Sequence, residues 1–344
     1  MDKLYKTKSS NEHGTLYQLR NLIERRNVVT TVSKDYHAVS AFFDLAVECH
    51  VVAAAMQVLE MEDIDAKPAC LPRRMEIVDK HKKSQILHSI AALIIDRFIF
   101  NKMTAVLEGM TDDDIQLPEE PVPQNEPDHV LNYASAVMKY GLLRRVALMS
   151  TKSGDGERAL RHWKFAIPLY HEAHKTKYRL EGFLLIASVK ALLPARLSKQ
   201  VLCSRFVNLT GGEGNNLDGD YVLELQNNLA KSKIKTLGPN HTPEMVMRIG
   251  KTMMFSHEVT RCLGSQLGVA PISRTHTSQE TTRDKHLIIE ELHLIAKVFH
   301  YIPGREHATF SQQPDDIYSA IKVPELHKWL HEKKDEYAGT KWAF

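Results

Sequence analysis

The feature that most constrains the fold is a long segment, residues 36–60, with very little polar surface. Its apolar residues recur every three to four positions and form a stripe wider than a surface helix needs: Val39, Phe42, Phe43, Ala46, Val47, Val51, Ala54, Ala55, Val58 and Leu59. A helix of this kind is stable in water only when other elements cover it. The segment therefore predicts several helices packed around one deeply buried helix, with Asp35 as its N-terminal cap.

The same periodicity predicts helices along most of the chain, well above the roughly one third typical of globular proteins. They are expected at 14–26, 36–60, 74–108, 129–149, 156–173, 180–193, 195–204, 223–234, 242–264, 284–300 and 324–334. Pro168 is expected to kink or divide the helix that contains it. Residues 28–32 and 206–209 are candidates for short strands. We therefore predict a predominantly α-helical, multi-helix globular domain with at most a few short strands.

Composition divides the chain into four segments. These are an N-terminal helical region at 1–110, an acidic proline-rich segment at 111–128, a helical core at 129–268, and a polar connection with C-terminal helices at 269–344. The segment 111–128 contains Asp112-Asp113-Asp114 and has almost nothing to bury, which predicts a linker or surface loop. The alternative is an acidic docking segment for a protein partner that the sequence does not identify.

The overall charge is too balanced to indicate a nucleic-acid partner. The 344 residues include 45 Lys and Arg against 42 Asp and Glu, a net +3. The four cysteines lack the CxxC spacing of zinc or redox sites, which predicts free, mostly buried thiols in a reducing compartment: Cys49, Cys70, Cys203 and Cys262.

The chain is expected to be soluble and intracellular, without membrane association. Its first residues lack the apolar region of a signal peptide, and its most apolar run, 90–100, contains Asp96 and Arg97. The basic run Lys80-His81-Lys82-Lys83 favours the nucleus over the cytoplasm, although the solvated face of a helix has the same composition.

The first group of candidate site residues follows Gly154-Asp155-Gly156. Arg158, Arg161 and Lys164 fall near one face of the predicted helix, with Trp163 and Phe165 between them. Such spacing can place cations on the phosphates of a nucleic acid, and Arg205 is a further candidate for this role. The alternative is a turn in which Asp155 caps an ordinary amphipathic surface helix.

The second group is acidic. Asp220 and Glu224 are four residues apart and share a helix face, where their like charges repel. A divalent cation such as Mg²⁺ or Mn²⁺ would offset this repulsion. A third carboxylate, from Asp155, Asp44 or Glu48, would complete the acidic cluster of a two-metal phosphodiester-cleaving site. Asp220, Glu224 and Asp155 are thus the catalytic candidates, and Asp220 and Glu224 the metal ligands. The alternative is that the aspartates cap a helix and Glu224 is solvated.

Motifs spread over residues 4–265 carry a resemblance to a known family. They are Lys6, Gly14–Leu19, His50–Ala55, Asn132–Ala134, Gly154–Arg158, Trp163–Phe165, Arg205–Asn208, Asp220, Glu224, Asn227, Leu237–Gly238 and Arg248–Lys251. In these positions the chain resembles the C-terminal part of the domain of unknown function 6589 family, a large eukaryotic family of repeatedly duplicated proteins.

The resemblance implies a transposon-derived protein, because the family's copy number and acidic residues look like those of transposon-derived proteins. Their nucleases use an RNase H-like core, so a few short strands of a degenerate core are expected, with Glu224 as the last acidic residue. Family members extend upstream through a segment with an early acidic residue, and they favour histidines where Val222 and Leu225 stand here. The implied protein therefore lacks intact catalysis and retains nucleic-acid binding, with DNA as the partner.

Two alternatives stay open from the sequence. One is a nuclease or transposase remnant that depends on Mg²⁺ or Mn²⁺. The other is a helical protein-interaction module that engages its partner through the acidic segment 111–128 or the Met-rich segment 245–254.

Overall fold

Helices make up most of the structure, a computed structural model that describes residues 4–29, 31, 35–68, 79–100, 126–209, 211–266, 278–311 and 321–339. The helices are α1 (Leu16–Leu22), α2 (Tyr36–Val58), α3 (Lys80–Phe98), α4 (His129–Ser153), α5 (Gly156–Glu172), α6 (Thr176–Ala187), α7 (Ala195–Ser204), α8 (Gly219–Lys235), α9 (Pro243–Gln266), α10 (Ser278–Glu290) and α11 (Val323–Gly339). This architecture confirms the predominantly α-helical prediction.

Short irregular elements complete the fold. A 3₁₀ turn spans Thr7–Ser9, and π-helical turns at Ser188–Leu192 and Glu291–Ile295 extend α6 and α10. In the described residues the one sheet is an antiparallel pair, β1 (Phe206–Val207) with β2 (Leu217–Asp218). Apart from this pair, the described part contains no strands of the expected RNase H-like core.

Three local predictions differ from the structure. The helix α5 runs through Pro168 without division, from Gly156 to Glu172. Val28 and Val29 form no strand, and two other residues of that predicted strand lie outside the described part. Two of the three cysteines described, Cys203 and Cys262, are exposed rather than buried. The residues 101–125, which include most of the predicted linker, also lie outside the described ranges.

The chain divides into two compact units. Unit 1 comprises Met1–Arg145, Pro168–Thr176 and Thr277–Phe344, and unit 2 comprises Val146–Ile167 and Lys177–His276. Unit 2 therefore consists of two stretches inserted in the sequence of unit 1. The four segments predicted from composition stay a prediction.

The core of unit 1 is built around α2, as the apolar stripe predicts. Twelve of the 23 residues of α2 are buried, among them Phe42, Phe43 and Val47. Side chains of α1, α3, α4 and α10 cover it: Leu16, Leu19, Ile86, Ile90, Tyr133, Val137, Ile288 and Leu292. Each large apolar side chain that is fully buried contributes about 1.5–3 kcal/mol. By length and composition α2 could cross a membrane, but most of its apolar window is buried within the fold.

Close contact between α2 and α4 depends on one glycine. A Cβ atom added at Gly141 would lie 2.1 Å from Cγ2 of Val47. No other residue type fits at that position while the two helices keep this separation.

Ion pairs attach the late part of unit 1 to its earlier elements. Asp128 is buried, accepts hydrogen bonds from the backbone N–H groups of Val130 and Leu131 at the start of α4, and pairs with Arg305 at 2.8 Å. The consecutive residues Glu12 and His13 form reciprocal pairs, Glu12 with His307 and His13 with Glu291, each at 2.7 Å. These pairs join segments that lie far apart in the sequence, and Asp128, Glu291 and His307 are the buried partners in them.

Unit 2 has a much smaller core. Among the described residues it consists of four buried side chains, Leu160, Leu185, Val189 and Leu202, with Trp163 among the side chains packed against them. Gly182 lets α6 approach the indole ring, since a Cβ there would lie 2.6 Å from Cε3 of Trp163. Many large apolar side chains of unit 2 stay exposed, including Phe255 at 75%.

Candidate nucleic-acid interface

The two glycine-rich loops singled out in the sequence meet in unit 2. Gly154 adopts a left-handed conformation (φ +69°) directly after α4, and Asn216 of the second loop contacts this turn. The Asn216 side-chain amide donates a hydrogen bond of 2.9 Å to the Lys152 carbonyl, and the Thr151 hydroxyl donates to the Asp218 carboxylate at 3.1 Å. The loops thus form one polar corner at the end of α4.

Asp155 lies at this corner and caps the N-terminus of α5. Its Oδ1 accepts a hydrogen bond of 2.9 Å from the Arg158 backbone N–H, and its Oδ2 lies 3.3 Å from Nε of Arg158. Gly156, the next residue, abuts α7, because a Cβ there would lie 2.7 Å from the Leu202 carbonyl oxygen. Both carboxylate oxygens of Asp155 therefore contact Arg158. This agrees with the alternative in which Asp155 caps the helix.

Asp220 and Glu224 lie on α8, and both are exposed. Their side chains are therefore open to solvent. Among the residues that the structure describes, no group of three or more His, Cys, Asp or Glu side chains is placed to hold a metal ion. The geometry does not bring Asp155, Asp220 and Glu224 together as a preformed three-carboxylate site.

The cationic candidates on α5 are exposed to solvent, because the opposite face of this helix is packed against the rest of unit 2. Leu160, Ala166 and Ile167 are buried, whereas Arg158, Arg161 and Lys164 are exposed. Phe165 is exposed beside them, but Trp163, expected between the cations, packs into the core of unit 2. Arg205 is half-buried at the start of β1, where its carbonyl accepts a 2.7 Å hydrogen bond from Gly219 N–H.

Charge is distributed very unevenly between the two units. Unit 2 contains 17 Lys and Arg against 9 Asp and Glu, hence a net +8. Unit 1 contains 28 Lys and Arg against 33 Asp and Glu, hence a net −5. The overall +3 conceals a basic unit and an acidic unit, so the argument from balanced charge does not apply to unit 2.

The cations of the two units also differ in their partners. In unit 1, Arg25, Arg144, Lys285 and Arg305 pair with carboxylates on other elements. Within the described part of unit 2, Arg158 pairs with the neighbouring Asp155. Other exposed cations of that part form no ion pair with a described carboxylate: Arg161, Lys164, Arg196, Lys199, Lys231, Lys233, Lys235, Arg248 and Lys251. Exposed cations that no described carboxylate neutralises are suited to binding polyanions.

Most of these cations were missed by motif reasoning, because they lie on α7, α8 and α9 outside any recognisable motif. The signal that could have found them is a charge count over a window of the chain. Between 146 and 276 basic residues clearly outnumber acidic ones.

Burial shifts the pKa of two side chains that could otherwise take part in chemistry. Burial raises the pKa of the Cys49 thiol to about 12, with the charge of Glu48 adding to the effect. Burial also lowers the pKa of His162 on α5. A thiol whose ionised form is this disfavoured is a poor nucleophile, so Cys49 belongs to the core.

Comparison with known proteins adds a family but no activity. The family model described as "Family of unknown function (DUF6589)" matches residues 1–276. No curated protein and no solved structure matches the chain.

Proposed function

The chain belongs to the DUF6589 family, a family of unknown function, and from this premise we propose that unit 2 binds the phosphate backbone of nucleic acid. On this proposal the protein is transposon-derived, has lost intact catalysis and retains DNA as its partner. The observation that carries the proposal is the net +8 of unit 2, most of it on exposed side chains.

The proposed mode of binding is electrostatic. Each Lys or Arg that neutralises a phosphate releases condensed counterions, so affinity falls as salt rises, with a slope of about −0.9 per phosphate on duplex DNA. On this proposal, exposed cations on several helices contact the phosphates of the nucleic acid and make no contacts with base edges. The proposal therefore predicts weak sequence preference and a steep salt dependence.

The test is fluorescence anisotropy of a labelled DNA duplex titrated with the full chain at several salt concentrations. Replacing two α5 cations, Arg161→Gln with Lys164→Gln, should weaken binding and reduce the salt slope by about 2. The matched control replaces two exposed cations of unit 1, Lys8→Gln with Lys328→Gln, and removes the same net charge. The proposal fails if wild-type binding ignores salt, or if both double variants lose affinity equally.

A metal-dependent nuclease through Asp155, Asp220 and Glu224 stays a prediction. It requires Mg²⁺ or Mn²⁺ to draw exposed carboxylates together, because the described residues include no preformed group of three or more metal-binding side chains. Its signature would be a rise in melting temperature with either metal that Glu224→Gln abolishes. If neither metal changes the melting temperature of the wild type, the nuclease hypothesis fails and the proposal of DNA binding without catalysis remains.

The second candidate function is a protein-interaction module. It is favoured by the exposure of Met245, Phe255 and Val259, which fall on one face of α9 by helical spacing. On this proposal Phe255→Ser would abolish capture of a protein partner while DNA binding kept its wild-type salt slope. If the acidic segment is the docking element instead, deletion of residues 111–128 should abolish capture of the protein partner and leave the salt slope of DNA binding unchanged.

Nuclear localisation is part of the proposal. The run Lys80-His81-Lys82-Lys83 opens α3, where Lys80, His81 and Lys82 are exposed. A fluorescent fusion of the full chain should concentrate in the nucleus, and replacing Lys80 and Lys82 with Gln should redistribute it. An even distribution of the wild-type fusion between nucleus and cytoplasm would count against nuclear localisation.

A further inference from the structure

A surface cavity of about 430 Å³ lies in unit 1, between the end of α2 and the π-helical turn after α10. One wall comes from residues 56–62 and the other from residues 293–300. Its volume falls within the range of about 300–1,000 Å³ that accommodates small organic ligands. All residues that line the cavity belong to unit 1, and none of them is used in the function proposed above.

The walls carry opposite charges. Glu60 and Glu62 line the α2 side, and Lys297 and His300 line the other side, together with His293. In the part of the chain that the structure describes, none of the side chains of Glu60, Glu62, Lys297 and His300 forms an ion pair.

Both walls are held in a fixed and unusual backbone conformation. Glu60 (φ +51°) and Lys297 (φ +48°) are two of the four non-glycine residues with positive φ in the described ranges. Such conformations are disfavoured by about 1–3 kcal/mol and tend to occur at functional sites. Lys297 follows the π-helical turn Glu291–Ile295, a second irregularity that is frequent at ligand sites.

Hydrogen bonds from the body of unit 1 support these walls. Nε2 of His293 lies 2.7 Å from the Met61 carbonyl and so ties one wall to the other. Nη1 of Arg305, whose guanidinium is held by buried Asp128, donates to the Lys297 carbonyl at 3.2 Å. A cavity whose backbone is fixed before a ligand arrives loses less entropy on binding.

We propose that this cavity binds a short peptide-like zwitterion. Its ammonium group meets Glu60 and Glu62 at the end of α2, and its carboxylate meets Lys297 and His300. Its aliphatic part lies against Met56, Met61 and Leu294, the larger apolar side chains of the lining. Methionine side chains adapt to varied apolar shapes, which suits a ligand recognised mainly by its two charged ends.

The test is a calorimetric titration of the full chain with the tripeptide Ala-Leu-Ala, its N-acetylated form and its C-amidated form. We expect saturable binding of the free tripeptide, about tenfold weaker for either blocked form, as loss of one charged hydrogen-bonded contact implies. Equal affinity for all three forms, or no saturable binding of the free tripeptide, overturns the proposal.

A variant separates the two ends of the ligand. Lys297→Asn removes the charge and keeps a residue type that tolerates positive φ, so the fold is preserved. It should weaken binding of the free tripeptide about tenfold and leave binding of the C-amidated form unchanged. Lys8→Asn, at an exposed position of unit 1 outside the cavity, is the matched control and should bind as wild type. A Lys297 variant that binds the free tripeptide as wild type overturns the assigned role.

Discussion

At the residue scale, the most consequential group is His50, which lies in the middle of α2 and is fully buried. Its Nδ1 lies 2.7 Å from the Ala46 carbonyl and donates to it, while its Nε2 has no hydrogen-bond partner among the described residues. Burial lowers the pKa of His50 to about 4, against 6.5 in its ordinary state. The imidazole is therefore neutral in the folded protein and charges readily only after unfolding.

This predicts a loss of stability in mild acid. Because the unfolded chain binds the proton more tightly, stability is complete above pH 6.5 and falls as the pH approaches 4, by on the order of 3 kcal/mol. Urea unfolding of the wild type and of His50→Leu, each measured from pH 7 to pH 4.5, isolates this contribution. His50→Leu should show a shallower fall with pH, whatever its stability at pH 7.

The control for this measurement is His88→Gln, which removes an exposed histidine of α3. It should retain the wild-type pH profile. Identical profiles for wild type and His50→Leu would show that the acid sensitivity of the fold arises elsewhere.

At the element scale, the contact between α2 and α4 should tolerate no added atom at Gly141. Gly141→Ala places a methyl group 2.1 Å from Cγ2 of Val47, so the helices must separate, at a cost of about 1–3 kcal/mol. Thermal unfolding of the single variant and of Gly141→Ala combined with Val47→Ala tests this. The double variant should lose less stability than the sum of the two single changes, because the second change makes room for the first.

Gly250→Ala in α9 is the matched control for the same substitution. No described atom lies within 4 Å of the added Cβ, so alanine should be neutral or stabilise the helix by up to about 1 kcal/mol. Equal destabilisation by both changes would contradict the role given to the contact between α2 and α4, because helix propensity favours alanine at both positions.

Elements were more predictable than the site, and the reason is physical. The buried helix at 36–60 follows from its own apolar stripe, and α2 indeed spans Tyr36–Val58. Convergence of distant side chains depends on tertiary contacts that no local pattern encodes. Thus the capping role of Asp155 could be anticipated from its position, whereas the meeting of Asn216 with Lys152 could not. The π-helical turns had no sequence signal either.

At the scale of the whole molecule, the core of unit 1 extends beyond the family match. Residues 1–276 match the family model, yet Ile288, Leu292, Phe299 and Phe310 are buried in the same cluster as α2. Their loss would expose the apolar face of α2 to water. We therefore expect a chain that ends at residue 276 to be insoluble or unfolded.

A chain that ends at residue 311 is the matched control, because it keeps every residue of that cluster. Expression of both chains, followed by size-exclusion chromatography and circular dichroism, gives the comparison. The longer chain should elute as a folded species. A folded, soluble chain ending at residue 276 would contradict the assignment of α10 to the core.

The reciprocal pairs of Glu12 with His307 and His13 with Glu291 have a consequence for biosynthesis. The N-terminal segment leaves the ribosome long before its partners are translated, while the continuous stretch 177–276 of unit 2 emerges in between. Unit 2 can thus fold on the nascent chain, whereas the core around α2 stays incomplete until residues 288–310 have been translated. During that interval the polypeptide is a natural client for chaperones.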